Sequence, residues 1–410
     1  METDTAPETA RLGQSRRTAT ARFTTVTVLW ALWLCLGPAL PALGGSPANE
    51  PRAPSSSEAV RAKIARTVDA YLARRPKIAG RVVGALRPGP DGAVEEIALF
   101  RGNGRAGGPP PDRHTRFEIG SVAKTFTAAM LADFARKGLV DPAAPAQAFY
   151  NDMIPGQVRL PVFPGSPGLT LMELAVHASG LPRDPGNLPK AGCRYSRRAM
   201  RAYLASLKSL PGPPGAAYAY SNLGYGVLAD VLALVCRAPD YQTMLTGFLA
   251  EAKLSLPDTG VVSGDGKDEL AAGHGPNGAR ASDCLKSWPA LDGAGAMYAS
   301  LDDMLTWLRF NLGLTASPKN DLLPALHKPR METDFGAAGL GWQMRRLVSY
   351  PEEAMIFKNG GTKGFRCHLS FLAGEKAGVV VLSNTNIAND ALGARIMEIL
   401  IDSDYIDWNP

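Results

Sequence analysis

Three short patterns in this 410-residue chain carry groups whose types and spacing suit acyl transfer. The first is Phe117-Glu-Ile-Gly-Ser121-Val-Ala-Lys124-Thr-Phe-Thr127, where a turn ends in Gly120 and a helix is expected to begin at or near Ser121. Positions three apart share a helix face, so the Lys124 amine can reach the Ser121 hydroxyl. A serine hydroxyl is a weak nucleophile at neutral pH and needs a base beside it. The free N–H groups and positive dipole end of a helix start favour an anionic oxygen at the same spot. About 100 residues later, Tyr220-Ser-Asn222 sets a phenol just ahead of another helix. That phenol becomes a base only where cations lower its pKa from about 10. The Asn222 amide can orient a lysine and bind a substrate carbonyl. Third, Phe357-Lys358-Asn359-Gly360-Gly361 lies on a strand entering a glycine-rich turn. Lys358 supplies a second cation, and the small residues after it let a substrate backbone lie against the strand edge.

Taken singly, each pattern has an ordinary reading: an N-capping serine with a solvent-facing lysine, an asparagine cap beside a packed aromatic, a surface hairpin. Their order along one chain argues against that. Ser-x-x-Lys with a later Lys-Thr-Gly is the signature of serine β-lactamases and penicillin-binding proteins. The chain resembles the class C (AmpC-type) branch of that superfamily, with Tyr-x-Asn where class A enzymes have Ser-Asp-Asn. Thr170-Leu-Met-Glu-Leu-Ala-Val-His177-Ala-Ser-Gly-Leu-Pro182 resembles the branch's helix-and-turn segment, and the likeness covers roughly 58–401. Leu181-Pro-Arg183, Ala219-Tyr-Ser-Asn222, Gly293-Ala-Gly295 and Gly339-Leu-Gly-Trp342 look most similar to AmpH-type D-alanyl-D-alanine carboxypeptidase/endopeptidases.

The resemblance implies a β-lactamase/transpeptidase-like fold with Ser121 as acylated nucleophile. Lys124 and Tyr220 would share the proton work, and Lys358 would give electrostatic support. Asn222, Asn359, Gly360, Gly361, Asn386 and Asn389 would meet the substrate, and the Ser121 and Gly361 N–H groups would form the oxyanion hole. The implied substrate is a D-Ala-D-Ala-type peptidoglycan peptide or a β-lactam. A class C-like β-lactamase, a related esterase and a penicillin-binding sensor without turnover stand as alternatives. One departure bears on specificity: Lys358-Asn359-Gly360 replaces Lys-Thr-Gly, losing a hydroxyl beside the substrate carboxylate, although Asn359 can still donate a hydrogen bond. The Arg-rich stretch 183–198 is expected to cover one side of the cleft. No cofactor and no metal are expected: His114, His177, His274, His327 and His368 show no ligand spacing. His177 is expected to lock its turn by hydrogen bonding.

The elements that must position these residues can be read from periodicity and punctuation. An amphipathic helix is expected over 58–74 and strands over 80–86 and 94–101, joined by a turn containing Pro90-Asp-Gly92. Helices follow at 121–137, 171–177, 197–207, 222–236, 241–253 and 301–312. Strands return at 340–345, 354–359, 365–372 and 378–384, before a last helix at 390–401. Strands at both ends with helices between them predict an α+β architecture: one antiparallel sheet flanked by helices, with a helical subdomain inserted over roughly 125–335. Gly102-Asn-Gly104-Arg-Ala-Gly107 matches a dinucleotide fingerprint, yet it runs into Gly108-Pro-Pro-Pro111 where a pyrophosphate needs a helix N-terminus. It is expected to be a loop.

The chain is 45% hydrophobic and 20% charged, with 43 glycines and 33 prolines, which excludes a disordered polymer and predicts a folded core with long punctuated loops. Its net charge of +6 is scattered, so nucleic acid is a poor partner, while an anionic cell envelope is compatible. Arg11, Arg16, Arg17 and Arg22 precede an uncharged run over 23–49, followed within it by Pro38, Pro41 and the small residues Ala42-Leu-Gly44. This is the layout of a secretory signal peptide over 1–44. A linker over 45–56 and a hydrolase domain over 57–408 follow. The prolines cut the apolar run below the roughly 20 residues that span a bilayer. The mature protein is therefore expected in the periplasm or outside the cell, with no stable membrane span. Cys193 and Cys284 admit a loop-to-loop disulfide, and Cys236 reads as a core residue.

Overall fold

The computed structural model describes residues 56–401 apart from 90, 105–107, 190–193, 263–269, 282–287 and 348–349. The expected signal peptide, nearly all of the linker and both cysteines of the expected disulfide lie outside the described residues. The strands are β1 (Gly80–Pro88), β2 (Val94–Gly102), β3 (Phe117–Glu118), β4 (Gly260–Val261), β5 (Met297–Ala299), β6 (Met331–Thr333), β7 (Gly336–Ala338), β8 (Gln343–Leu347), β9 (Tyr350–Gly361), β10 (Arg366–Leu372) and β11 (Ala377–Ser383). The helices are α1 (Ser57–Ala73), α2 (Ala123–Arg136), α3 (Ala146–Met153), α4 (Leu171–Ala175), α5 (Arg197–Ser206), α6 (Asn222–Val235), α7 (Tyr241–Ala252), α8 (Asp292–Gly295), α9 (Leu301–Asn311), α10 (Leu323–Leu326) and α11 (Asp390–Leu400).

Strand β1 alternates Val82 and Leu86 on one side with Val83 and Ala85 on the other, and all four are buried. A strand buried on both faces must lie inside a sheet covered by two layers. It does: the eight-stranded sheet runs β2-β1-β11-β10-β9-β8-β7-β6, so strands from the two ends of the domain pair directly. Every pair is antiparallel, with Val82 opposite Leu382 and Lys358 opposite Leu369. On one face, Val60, Ile64 and Val68 of α1 and Leu392, Ile396 and Met397 of α11 cover Val83, Ala85, Val379 and Val381. On the other face lie α9 and the remaining helices, with α2 and α6 at their centre. Both of these are buried along nearly their whole length, as helices apolar on all sides must be. A small sheet, β3-β5-β4, lies among them.

The α+β architecture is as expected, with local differences. The stretch at 340–345 becomes a strand only from Gln343, because Gly341 turns there with φ +76°. Ser121 lies in a 3₁₀ turn, Gly120–Val122, and the α-helix proper starts at Ala123. Strands of two or three residues such as β3 to β7 have too few residues to show a period. Cys236 is exposed at the end of α6, so it is not a core residue.

Candidate active site

The turn that bears Ser121 is pressed against the end of β9 by two glycines. Gly120 has φ +53°, and a Cβ there would lie 2.6 Å from the Gly361 amide nitrogen. A Cβ on Gly360 would lie 1.9 Å from the Ile119 carbonyl oxygen and 3.1 Å from the Ser121 amide nitrogen. Only glycine permits such an approach of backbone to backbone. As a result the Ser121 and Gly361 amides, read from sequence as an oxyanion hole, border one place.

Two side chains meet the Ser121 hydroxyl. Tyr220 Oη donates to Ser121 Oγ at 2.7 Å, and Lys124 Nζ lies 3.2 Å from the same oxygen. Lys124 Nζ also donates to Asn222 Oδ1 at 2.7 Å and to the Ala294 carbonyl of α8. The Asn222 amide is turned this way because its Nδ2 donates to Asp184 Oδ1 at 2.8 Å.

Tyr220 is held from behind. The His177 ring stacks on it at 4.1 Å between centroids. His177, itself at φ +60°, accepts the Ser221 N–H on Nδ1 at 3.1 Å, and its carbonyl accepts the Ala219 N–H at 2.6 Å. This is the turn-locking role expected for it. Ser221 caps α6 through Gly224 N–H and donates to the Pro182 carbonyl. The segments around 177–182 and 219–224 are thus tied to each other.

Burial sets the electrostatics. Lys124 is wholly buried, and desolvation, with Lys358 and Arg183 adding to it, pushes its pKa well below that of an ordinary lysine. Lys358, also buried, is pushed down to about 7 by desolvation and then by Arg183. Lys124 and Lys358 Nζ and the Arg183 guanidinium each lie 4.9 Å from the Tyr220 ring centre. Yet the Tyr220 pKa is pushed up, to about 12, because desolvation outweighs its Ser121 hydrogen bond and Arg183. The expectation that a phenolate base needs cations is met in geometry but not in charge. Lysines driven toward their neutral form exert little pull on a phenolate. Tyr220 is therefore a neutral donor. In the neutral form that burial favours, Lys124 has two N–H bonds and one lone pair. With the N–H bonds engaged by Asn222 and Ala294, the lone pair is left for the Ser121 hydroxyl.

Ser121 opens onto a cavity of about 870 Å³ lined also by Arg183, Tyr220, Asn359, Gly361 and Arg366, and by Glu332, Asp334 and Phe335 from β6 and the turn after it. A second pocket of about 100 Å³ borders Ser121, Asp184, Asn222, Gly361 and Thr362. The structure thus brings Ser121, Lys124, Tyr220, Asn222, Lys358, Asn359, Gly360 and Gly361 together. Asn386 and Asn389 border neither of these two cavities. Asn389 is buried and its amide donates to the Arg366 and Val381 carbonyls, which braces β10 and β11. Asn386 is tied by its N–H to the His274 carbonyl. Of the stretch 183–198, Arg183 does border the cavity and is exposed. Sequence reasoning passed over Asp184, the Ala294 carbonyl and Arg366. Arg366 opens the strand after the Lys358 motif, and only the register of β9 with β10 sets it opposite Gly361.

A family model described as Beta-lactamase matches residues 68–401. Over 292 residues the chain is 27% identical to the D-alanyl-D-alanine-carboxypeptidase/endopeptidase AmpH of Escherichia coli (strain K12), covering 66% of this chain and 71% of that one. It is 28% identical over 342 residues to a D-aminopeptidase of Gluconobacter oxydans (strain 621H), covering 78% and 60% respectively. In fold it is similar to a Beta-lactamase/D-alanine Carboxypeptidase from Yersinia pestis, with a TM-score of 0.68 at 21% identity, over 84% of this chain and 99% of that one.

Proposed function

The chain belongs to the beta-lactamase family and is a serine hydrolase, and from that premise we propose that it is exported and cleaves D-Ala-D-Ala-type peptidoglycan peptides through an acyl-enzyme on Ser121. One observation carries the chemistry: Ser121 Oγ sits between a buried amine with both N–H bonds engaged and a neutral phenol that donates to it. Lys124 takes the hydroxyl proton as Oγ attacks the peptide carbonyl carbon. The carbonyl oxygen becomes an oxyanion between the Ser121 and Gly361 N–H groups. Removing one such donor typically costs about 10²–10³ in rate. The intermediate collapses, the C–N bond breaks, and the leaving amine takes a proton that passes from Lys124 by way of Tyr220. Water then attacks the acyl ester, the same groups take and return its proton, and Ser121 is restored. Asn222 holds Lys124 in register, and Lys358, buried beside Tyr220, gives electrostatic support.

The likeness to the carboxypeptidase/endopeptidase of Escherichia coli, together with the Leu181-Pro-Arg183 and Gly293-Ala-Gly295 segments, favours a carboxypeptidase/endopeptidase over a β-lactamase. Export rests on the arginine-flanked apolar run: residues 1–44 would be removed as a signal peptide, residues 45–56 would form a linker, and 57–408 would be the hydrolase domain with its helical part inserted over roughly 125–335. The substrate would be met in the periplasm or outside the cell.

The test is an intact-mass time course of protein lacking 1–44 with a penicillin. A lasting adduct of one penicillin mass, absent from Ser121→Ala, is the expected result. Antibiotic consumed without a lasting adduct would indicate a β-lactamase instead. Neither adduct nor consumption would leave an esterase or a binding module without turnover.

A further inference from the structure

Arg366 is a cation at the candidate site to which the fold supplies no counter-charge. It opens β10, where its backbone stands opposite Gly361 of β9 and its carbonyl accepts the Asn389 amide at 3.4 Å. From there the side chain lies over the facing strand: a Cβ on Gly361 would fall 2.9 Å from Arg366 Cζ and 3.3 Å from Nε. The guanidinium thus occupies the space that a side chain at 361 would take. Among the described residues it enters no ion pair, and its Nε is buried with no hydrogen-bond partner. Asp390, the acid at the start of α11, is paired with His368 Nδ1 at 2.9 Å instead. Arg183, another arginine of the cavity, differs on both counts, with Asp184 at 3.8 Å and a side chain that is 69% exposed. The fold gains no ion pair from Arg366, so its charge is available to whatever enters the cavity that it lines together with Ser121, Asn359 and Gly361.

We propose that Arg366 is a specificity-determining residue that anchors the carboxylate of the leaving amino acid, beside the bond that Ser121 attacks. This rests on the hydrolase reading of Ser121 above. The reason is one of position and charge. Gly361 carries one of the two N–H groups assigned to the oxyanion, and the guanidinium rests on that same residue. In a peptide that loses its last residue, the terminal carboxylate carbon follows the scissile carbonyl carbon by three bonds, within about 4 Å. A carbonyl oxygen held at the Gly361 N–H therefore brings the carboxylate within reach of Arg366. The planar guanidinium fork matches a carboxylate and stays charged at every pH the enzyme meets. The rest of the cavity favours the same end. Glu332 of β6 and Asp334 in the turn after it also line it. The sheet order sets β6 four strands from β10, on the order of 20 Å at about 4.8 Å per strand. An anionic end of a substrate is repelled on the β6 side and drawn to the β10 side.

The test uses two thioester substrates that differ only in the leaving group, 2-mercaptopropionate or its primary amide, at pH 8.5, where Lys358 has largely lost its proton. The wild-type enzyme should prefer the carboxylate. A hydrogen bond to a charged group governs about a tenfold change in affinity. Arg366→Gln should therefore raise KM for the carboxylate substrate about tenfold, with kcat little changed and KM for the amide unmoved. Arg366→Lys keeps a charge but not the fork, so it should raise the same KM by several-fold, and it carries the test if the glutamine variant does not fold. Equal losses on both substrates would make Arg366 a brace between β9 and β10 and overturn the proposal. So would a wild-type enzyme indifferent to the carboxylate, a lysine variant that matches the wild type, or a carboxylate-specific loss found in Arg183→Gln but in neither Arg366 variant. The proposed function fails by a different outcome: no thioester turnover, or no dependence of it on Ser121.

Discussion

Lys358 is fully buried beside Tyr220, with a pKa near 7 where an unfolded lysine titrates near 10.4. The sign of the consequence follows from which state holds more protons. Between those two pH values the unfolded chain binds a proton that the folded chain has released, so stability contributed at this site rises with pH through the window. Below about 7 both states are protonated, and the folded state carries the full cost of a buried ammonium. Lys358→Met removes that cost. The variant should melt a few degrees higher than the parent at pH 6, and its advantage should shrink toward pH 10 in calorimetric scans. A gain independent of pH would contradict the lowered pKa. The same titration acts on function: for the parent enzyme, KM for a carboxylate-bearing substrate should rise as pH passes about 7, while KM for an uncharged ester stays flat. Legibility is uneven at this scale. Ser121, Lys124, Tyr220, Asn222 and Lys358 were found by type and order. The protonation state of Tyr220 was not, because it depends on how deeply the phenol and the two lysines beside it are desolvated.

The candidate active site depends on how two elements meet, the turn at Ile119–Ser121 and the end of β9. The Gly360 contact with the Ile119 carbonyl leaves no room for a methyl group, and the atom in the way is backbone. Gly360→Ala must therefore move the turn away from the strand and separate the Ser121 and Gly361 amides. A fall in kcat of about 10²–10³ is expected, the cost of one lost oxyanion donor, with an unchanged far-UV spectrum. Gly247, in α7, has open space around its Cβ position. Gly247→Ala should leave kcat unaltered and raise stability by about 0.5–1 kcal/mol, read as a higher urea midpoint. Loss of fold in the first variant, or loss of activity in the second, would contradict this account. The long elements were legible because their apolar periods persist: α1, α6, α7, β10 and β11 lie within a residue or two of the expected spans. The two- and three-residue strands were not, since their pairing is decided by neighbours remote in sequence, as when β3 pairs with β5 some 180 residues away.

At the scale of the molecule, the two ends of the domain close the sheet together. Strand β1 lies between β2 and β11, and α1 packs with α11 on one face. Val60, Ile64 and Val68 are almost wholly buried. At about 1.5–3 kcal/mol each, they contribute an amount comparable to the entire net stability of a typical domain, roughly 5–15 kcal/mol. A chain beginning at Ser56 should therefore melt with the signal-free protein, whereas one beginning at Ala79, without α1, should fail to show a cooperative transition. Equal melting of the two chains would refute the role assigned to α1. Sequence alone determined the fold class and the order of the motifs, and singled out Ser121, Lys124 and Tyr220 as candidates, because these depend on local spacing, residue chemistry and the resemblance they carry. Tertiary structure decided what each group does there. It buried Lys124 against Asn222 and Ala294, raised the Tyr220 pKa, turned Asn389 onto the strands and brought Arg366 to the cavity wall. Desolvation and cross-strand register arise only when segments far apart in the chain are packed against one another.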